Sequence, residues 1–484
     1  MGERKAFIKD TLVYGLGNGL KKFIGLFLLP FYTRALSVGE FGVLETLGTT
    51  AALLSGFFSM GLDSACGFYY FKAADNRKKD VLSTALFLRI FSFLLIVPLF
   101  FFRDTFSQLL FGSIDYAFLV LMILLLVPVN LLMSEQSHLF RYFRQPWSYN
   151  LITILKSLSN IGLGITLVIV LKKGVEGAVW ARIGSSLLVV VIAFVGFNYR
   201  KYNFKFSFYW ARKLLKYGFP LIWSGIATWV FNSSDRYFLV HYSDLHEVGL
   251  YSIGAIFSQP VLLINMAVQM SFAVLFFQLY YAEKSPEKPQ SRKMAIDLYL
   301  VYLTVAVLLS TLLSVYADFL VPFVTTPDYG AGAKVIPFLV FAHVAAQSFQ
   351  TMGPGISLAE KTWHYAWITG ATALLNLGLN FLMVPRWGFM GAGLATLISF
   401  VVYWQVKVWV ASKYFRVGYP VGRINSFFIL ALLLSVMVVV WPQWFPGWLR
   451  AAVVILVTVL AFLFKLIYPS DIKHIWEGIK SRRF

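Results

Sequence analysis

Apolar residues fill this chain in fourteen long blocks, each separated from the next by a short polar stretch. The blocks cover 11–32, 41–62, 81–102, 116–137, 149–171, 175–197, 214–234, 249–273, 296–322, 334–356, 364–384, 390–411, 424–441 and 449–468. A helix needs about 20 predominantly apolar residues to cross a bilayer. Backbone polar groups in hydrocarbon must pair within their own segment, so a helix is the expected spanning element. The dyad alternation of outer-membrane strands is absent. The pattern predicts an all-α integral membrane protein with fourteen transmembrane helices. The first, fifth and seventh blocks carry polar residues in mid-span.

Composition agrees with that class. Hydrophobic types make up 59% of the 484 residues and charged types 13%, against roughly 25% charge in a soluble domain. The formal net charge of +20 would suggest nucleic acid in a soluble protein, but its distribution argues otherwise. With the N-terminus in the cytoplasm, the inward segments hold 29 of the 42 Lys and Arg residues and the outward connections hold 8. Clusters such as Arg77–Lys79, Arg200–Lys216 and Lys465–Arg483 all fall inside. The positive-inside rule therefore predicts two cytoplasmic termini. Basic loops then face anionic membrane lipids, and no nucleic-acid partner is expected.

Chemistry of the catalytic kind finds little support. The lone Cys66 cannot form an intramolecular disulfide. The six histidines are scattered, without metal-ligand spacing. No cleavable signal peptide is expected after the charged Met1–Asp10 segment. The outward connections are too short to house a catalytic domain. No catalytic residue, metal or cofactor is expected, and the chain does not read as an enzyme.

Two echoes divide the chain. Glu40-Phe41-Gly42-Val43 recurs as Glu247-Val248-Gly249-Leu250, 207 residues on. Gly174-Val175-Glu176-Gly177-Ala178, with Ala181 and Ser185, recurs as Gly388-Phe389-Met390-Gly391-Ala392, with Ala395 and Ser399, 214 residues on. Such an offset spans six helices, an even number, so the halves enter the membrane the same way up, related by an axis along the membrane normal. The expected organisation is a six-helix lobe at 1–205, a second at 206–412, and two further helices with a cytoplasmic tail at 413–484.

Charged residues inside spans are costly and default to lining a cavity or pairing with a neighbour. Five cations fall within the blocks of the first lobe: Lys21, Lys22, Arg89, Lys156 and Arg182. One reading has Arg89 or Lys156 snorkelling or pairing with Glu135, and Arg182 pairing with Glu176 or Glu45. The other is a cavity of positive potential suited to a phosphate, diphosphate or acidic sugar. Lys21 lies near mid-depth, and by helical spacing it shares a face with Tyr14, Asn18 and Gly25. The second lobe is polar but nearly uncharged inside. Ser224, Thr228, Asn232 and Asp235 form one stripe; His343, Gln347 and Gln350 form another. Such rows serve as interhelical hydrogen-bond glue, and they also suit carbohydrate hydroxyls. His343 on such a stripe reads as a bonded polar residue rather than a proton relay.

Several segments resemble the bacterial polysaccharide transporters, the O-antigen and capsule repeat-unit flippases of the multidrug/oligosaccharidyl-lipid/polysaccharide exporter superfamily. They are Asp10-Thr11-Leu12-Val13-Tyr14-Gly15-Leu16-Gly17-Asn18, Leu29-Pro30-Phe31-Tyr32-Thr33-Arg34-Ala35-Leu36, Gly61-Leu62-Asp63-Ser64-Ala65 and Asp235-Arg236-Tyr237-Phe238-Leu239. The resemblance covers the whole chain and is silent on the cargo. It implies alternating access by two six-helix lobes in the inner membrane, in a protein acting as a monomer. The implied cargo is an undecaprenyl-diphosphate-linked oligosaccharide of lipopolysaccharide, capsule or exopolysaccharide synthesis. The polysaccharide polymerase and chain-length machinery are implied partners. First-lobe cations such as Lys21, Lys22, Arg89, Lys156 and Arg182 would hold the anionic head, with Tyr14, Asn18 and the second-lobe stripes lining or gating the cavity. A lipid-II flippase shares this architecture. A drug antiporter of the superfamily would need acids where this lobe is cationic, and a membrane polymerase or ligase resembles chains with a large outward loop. No P-loop is present, so an ion gradient, the membrane potential or downstream synthesis must supply the drive.

Overall fold

A computed structural model describes residues 27–265, 268, 288–352, 355–359, 361, 363–415 and 417–467. Tyr14, Asn18, Lys21, Lys22 and both termini lie outside these residues. Every regular element described is helical. Among the described residues, ten helices are long and apolar enough to cross a membrane. One of these, Trp363–Ser412, is two helices joined at Gly388, and Gly447–Leu463 is a shorter apolar helix of 17 residues. The chain forms two compact units, Met1–Gly249 and Leu250–Phe484.

In the first unit, α1 (Leu29–Ala35) leads through Leu36 and Ser37 into α2 (Val38–Phe58). Ser37 caps α2 in a capping box: its hydroxyl accepts from Glu40 N at 3.3 Å, and Glu40 Oε2 accepts from Ser37 N at 2.8 Å. Two otherwise orphaned amides of the first turn are thereby satisfied. α3 (Leu62–Lys72) starts after a bend at Gly61. It is followed by α4 (Lys78–Ile96), α5 (Arg103–Phe111), α6 (Ala117–Tyr142), α7 (Pro146–Gly164) and α8 (Gly174–Ala193). A 3₁₀ turn over Val97–Phe102 ends α4 earlier than the third block suggested, with Pro98 at its start. α9 (Phe208–Ser233) packs on α2, α3 and α4. For that reason the contact boundary falls at Gly249, beyond the repeat boundary expected at 205/206. α10 (Asp235–Tyr242) and the start of α11 (Leu245–Phe257) complete the unit.

The second unit holds α12 (Lys288–Val315), α13 (Ala317–Val324), α14 (Ile336–Met352), α15 (Gly355–Leu358), α16 (Trp363–Ser412), α17 (Val421–Val440) and α18 (Gly447–Leu463). α17 and α18 pack on α12 and on each other. Arg450 of α18 grips Asp318 of α13 with both terminal nitrogens, at 2.5 and 2.6 Å.

Both echoes have structural causes. Gly174 and Gly388 each open a helix with φ near +50° (53° and 51°), a left-handed conformation that glycine adopts without a Cβ penalty. The Glu-apolar-Gly echo marks helix starts as well: Asp244 Oδ1 accepts from Glu247 N at 2.7 Å, as Ser37 does for Glu40. Its glycines also meet. A Cβ on Gly42 would lie 2.0 Å from the Leu245 carbonyl oxygen, and one on Gly249 would lie 2.1 Å from that of Val38. The helices cross there backbone to backbone.

Burial follows the rule for a bilayer. Leu94, Phe101, Leu374 and Leu463 are exposed, while Ser310, Thr311 and Ser314 are sealed inside. Apolar side chains face outward because lipid tails solvate them, and hydroxyls turn inward to bond neighbouring backbone. Ser310 and Ser314 donate to the carbonyls one turn back, at 2.7 Å each.

Candidate functional site

A cavity of about 320 Å³ opens in the first unit, lined from α2, α6, α7 and α8 together with Leu28. Lys156 of α7 and Arg182 of α8 both line it, as do Asn130, Ser157, Asn160, Ser185 and Ser186. Among the described residues, none that lines it is acidic. Small residues make the room: Gly48, Ala51 and Ala52 present the α2 wall. Gly48 is small for a further reason. A Cβ there would come within 2.9 Å of Arg182 Nη1, whose guanidinium also reaches the Leu44 carbonyl at 3.5 Å. Arg182 is steered by Glu45 at 3.7 Å, with Arg236 on the far side of the same carboxylate at 3.9 Å. These are long, loose ion pairs in a part-exposed setting, so the carboxylate screens Arg182 without fully engaging it. Asn160 Oδ1 is buried and has no hydrogen-bond partner among the described residues. The cavity therefore offers two cations, hydroxyl and amide donors, and one waiting acceptor, which is a set suited to phosphate and sugar hydroxyls.

Arg89 stands apart from this cavity. It is fully buried between two carboxylates: its Nε donates to Glu135 Oε2 at 2.6 Å, and its Nη2 donates to Asp63 Oδ1. The Leu131 carbonyl accepts from Nη1 at 3.4 Å. Pairing with Glu135, one of the two sequence readings, is what the fold adopts. Asp63 is the partner that sequence reasoning missed; it stands in the first turn of α3, just after the bend at Gly61.

The polar stripes divide as well. Ser224, Thr228 and Asn232 are exposed on α9, where Thr228 Oγ1 donates to the Ser224 carbonyl at 2.9 Å and Asn232 Nδ2 to that of Thr228 at 2.7 Å. Asp235 does not share their exposure. It opens α10 and is 1% exposed. In the second unit His343 Nε2 shares a hydrogen bond with Ser258 Oγ at 3.0 Å, and its carbonyl accepts from Asn265 Nδ2 at 2.9 Å. Tyr302 donates to Asn265 Oδ1 at 2.8 Å, and Gln347 is buried one turn from His343. This is a hydrogen-bond node between helices. The second unit also holds an internal cation, within the twelfth apolar block. Lys407 is 3% exposed within α16, donates to the Tyr403 hydroxyl at 3.1 Å and lies 4.2 Å from the Tyr365 ring centre. The Tyr365 and Tyr403 rings lie against its ammonium as cation–π partners.

Residues 7–276 match the family model described as "Polysaccharide biosynthesis protein". The chain belongs to this family. Two curated relatives come from Haemophilus influenzae. An uncharacterized membrane protein is 25% identical over 276 residues, 54% of this chain and 64% of its own length. Lsg locus putative protein 1 is 26% identical over 285 residues, 57% of this chain and 66% of its own length. The chain thus spans about two thirds of the relatives it matches. Among solved structures, the lipid II flippase MurJ in an inward closed conformation aligns with a TM-score of 0.71 at 16% identity, over 95% of this chain and 99% of that one. An inward-facing multidrug resistance MATE transporter of the MOP superfamily aligns at 0.61 and 17% identity, over 86% and 94%. The MATE transporter VcmN of Vibrio cholerae aligns at 0.56 and 15% identity, over 84% and 96%. This member of the polysaccharide biosynthesis family is thus a multi-pass membrane protein with the fold of MurJ and the MATE transporters.

Proposed function

We propose that this protein is a flippase carrying an undecaprenyl-diphosphate-linked oligosaccharide from the inner to the outer leaflet of the inner membrane. In this reading it has fourteen spans, two cytoplasmic termini and two six-helix repeats working by alternating access. The observation that carries it is the acid-free cavity that brings Lys156 and Arg182 together, within a family of polysaccharide biosynthesis. An anionic diphosphate is neutralised by two cations, and amide and hydroxyl groups beside them read the first sugar. Lys21 and Lys22 are assigned by sequence to the same anion-holding role. Nothing in such a cycle needs covalent chemistry: cargo binds the two conformations unequally and shifts their populations. A drug-antiport reading would want carboxylates where this cavity has cations.

The test is twofold. Depleting the protein should cause one lipid-linked glycan to build up in the inner leaflet, and its identity separates a repeat unit from lipid II. A charge-assisted hydrogen bond contributes roughly 1.5–3 kcal/mol, so Lys156→Ala or Arg182→Ala should weaken cargo binding about ten- to a hundredfold. Normal export by a well-expressed Lys156→Ala, Arg182→Ala double variant would return both residues to a structural role.

A further inference from the structure

Two arginines of the first unit face one carboxylate, and neither closes on it. Glu45 of α2 stands between Arg182 of α8 and Arg236 of α10. Its Oε1 lies 3.7 Å from Arg182 Nη2, and its Oε2 lies 3.9 Å from Arg236 Nη2. Both separations exceed a charge-assisted hydrogen bond, which brings nitrogen and carboxylate oxygen to about 2.7–2.9 Å. Arg89 shows full engagement in the same unit, with its Nε 2.6 Å from Glu135 in a sealed setting. Arg182 is held far more loosely. Its side chain is 29% exposed, and among the described residues its guanidinium donates only to the Leu44 carbonyl, at 3.5 Å. Glu176, the other acid near it in sequence, accepts from Trp180 Nε1 at 3.3 Å instead.

Arg182 also meets the cavity, whereas Glu45 does not line it. By helical spacing Glu45 shares a face of α2 with Gly48 and Ala52, both of which belong to the cavity wall. Arg182 Nη1 passes over Gly48, where a Cβ would come within 2.9 Å of it. One guanidinium therefore faces both a resident carboxylate and the space where an anion would sit. A carrier with such a site has two states to stabilise. Loaded, the cargo's phosphate neutralises the guanidinium. Empty, closing the cavity would bury a charge without its partner, which is the costly case.

We propose that Glu45 is the resident counter-ion of this cavity: it competes with the cargo's phosphate for Arg182, promotes release, and neutralises the emptied site for its return. The inference rests on the proposed binding of a diphosphate in the cavity. Glu45 touches no cargo in this scheme; it is a positioning residue that acts through Arg182. When the anion enters, the guanidinium turns to it from Glu45, and the carboxylate stays beside Arg236, whose side chain is 11% exposed. When the anion leaves, Arg182 falls back on Glu45. A long, part-exposed ion pair is weak enough for a diphosphate to displace. The exchange needs no covalent step, because the two anions bind one cation in turn and shift its populations.

Calorimetric titration of inorganic pyrophosphate into the purified full chain, held in nanodiscs of neutral lipid, tests the competition directly. Arg182→Ala should bind more weakly than wild type. Glu45→Gln should bind more tightly, by up to about fivefold, the worth of one loose ion pair. In the Arg182→Ala background that tightening should largely vanish, since the two residues act as a pair. A carboxylate that merely braces the helices would leave affinity unchanged or weaken it when removed, so either result in a folded Glu45→Gln overturns the counter-ion. Should Glu45→Gln not fold, Glu45→Asp draws the carboxylate back by one methylene and should tighten binding in smaller measure; no tightening there overturns it equally. Absence of pyrophosphate binding by wild type, or undiminished binding by Arg182→Ala, would instead remove the anion site itself and this inference with it. In cells, Glu45→Gln should export glycan more slowly than wild type despite its tighter binding. Export at the wild-type rate would overturn the part of Glu45 in release and return.

Discussion

Removing Arg89 should be among the most damaging single changes in the first unit, and the damage should be repairable at a second site. Arg89→Gln takes away the Nε bond to Glu135 at 2.6 Å and the ion pair with Asp63, in a place with no exposed surface. It leaves two carboxylates facing each other, Glu135 sealed from water and Asp63 part-exposed. Breaking a buried pair in this way costs about 3–5 kcal/mol. Glu135→Gln alone keeps the Arg89–Asp63 pair and costs at most one charge-assisted bond, roughly 1.5–3 kcal/mol. In the Arg89→Gln background the same Glu135→Gln change removes an uncompensated acid, so it should restore about 1.4 kcal/mol or more, a factor of ten in the folded-to-unfolded ratio. The sign of its effect inverts with the background. Unfolding free energies of the four proteins, measured by steric trapping in bicelles, give the full cycle. Independent sites add to within about 0.5 kcal/mol. Additivity at that level, or an Arg89→Gln variant as stable as wild type, would refute the ion cluster as the source of stability here.

Three further outcomes follow from the geometry. Gly42→Ala should destabilise by roughly 1–3 kcal/mol, because the new methyl group meets the Leu245 carbonyl; Gly39→Ala, with no atom within 4 Å of its Cβ, is the matched control in the same thermal-melt assay. Arg450→Gln should loosen α18 from α13 by about 1 kcal/mol, since the pair with Asp318 is part-exposed, and adding Asp318→Asn should cost little more when both are melted side by side. A reporter active only in the periplasm, fused after Phe484, should stay silent; activity there would sink the fourteen-span topology.

Most of the helical architecture was legible because bilayer burial writes itself into composition: long apolar runs end where Gly, Pro and charge gather. The junction near Gly388 was visible as a gap between the eleventh and twelfth blocks, and the backbone does break there. The candidate cavity was legible only by type. Lys156 and Arg182 stand out as charges within spans, yet nothing in their order says that α7 and α8 point both into one space. Asp63 escaped notice because it follows a bend near a helix start, where an acid ordinarily means solvent. Lys407 falls inside the twelfth block, 390–411, but its surroundings were not legible there: Tyr403 lies one turn before it, whereas Tyr365 comes from the far end of the same kinked helix. Asp235 was placed in line with Ser224, Thr228 and Asn232 by spacing alone, but Ser234 separates α9 from α10 and Asp235 is enclosed.

The meeting of Gly42 with Gly249 has the exchange property of a dimer interface. Each glycine faces the carbonyl that lies four positions before the other, Leu245 for Gly42 and Val38 for Gly249, and a Cβ added to either would come to nearly the same distance, 2.0 and 2.1 Å. In a homodimer such a self-complementary patch is isologous, and a single mutation strikes both sides at once. Joined in one chain, the two sides can be altered one at a time. Gly42→Ala and Gly249→Ala thus dissect a contact that symmetry would otherwise make indivisible. Any difference between their effects measures how far the two sides of this contact depart from equivalence.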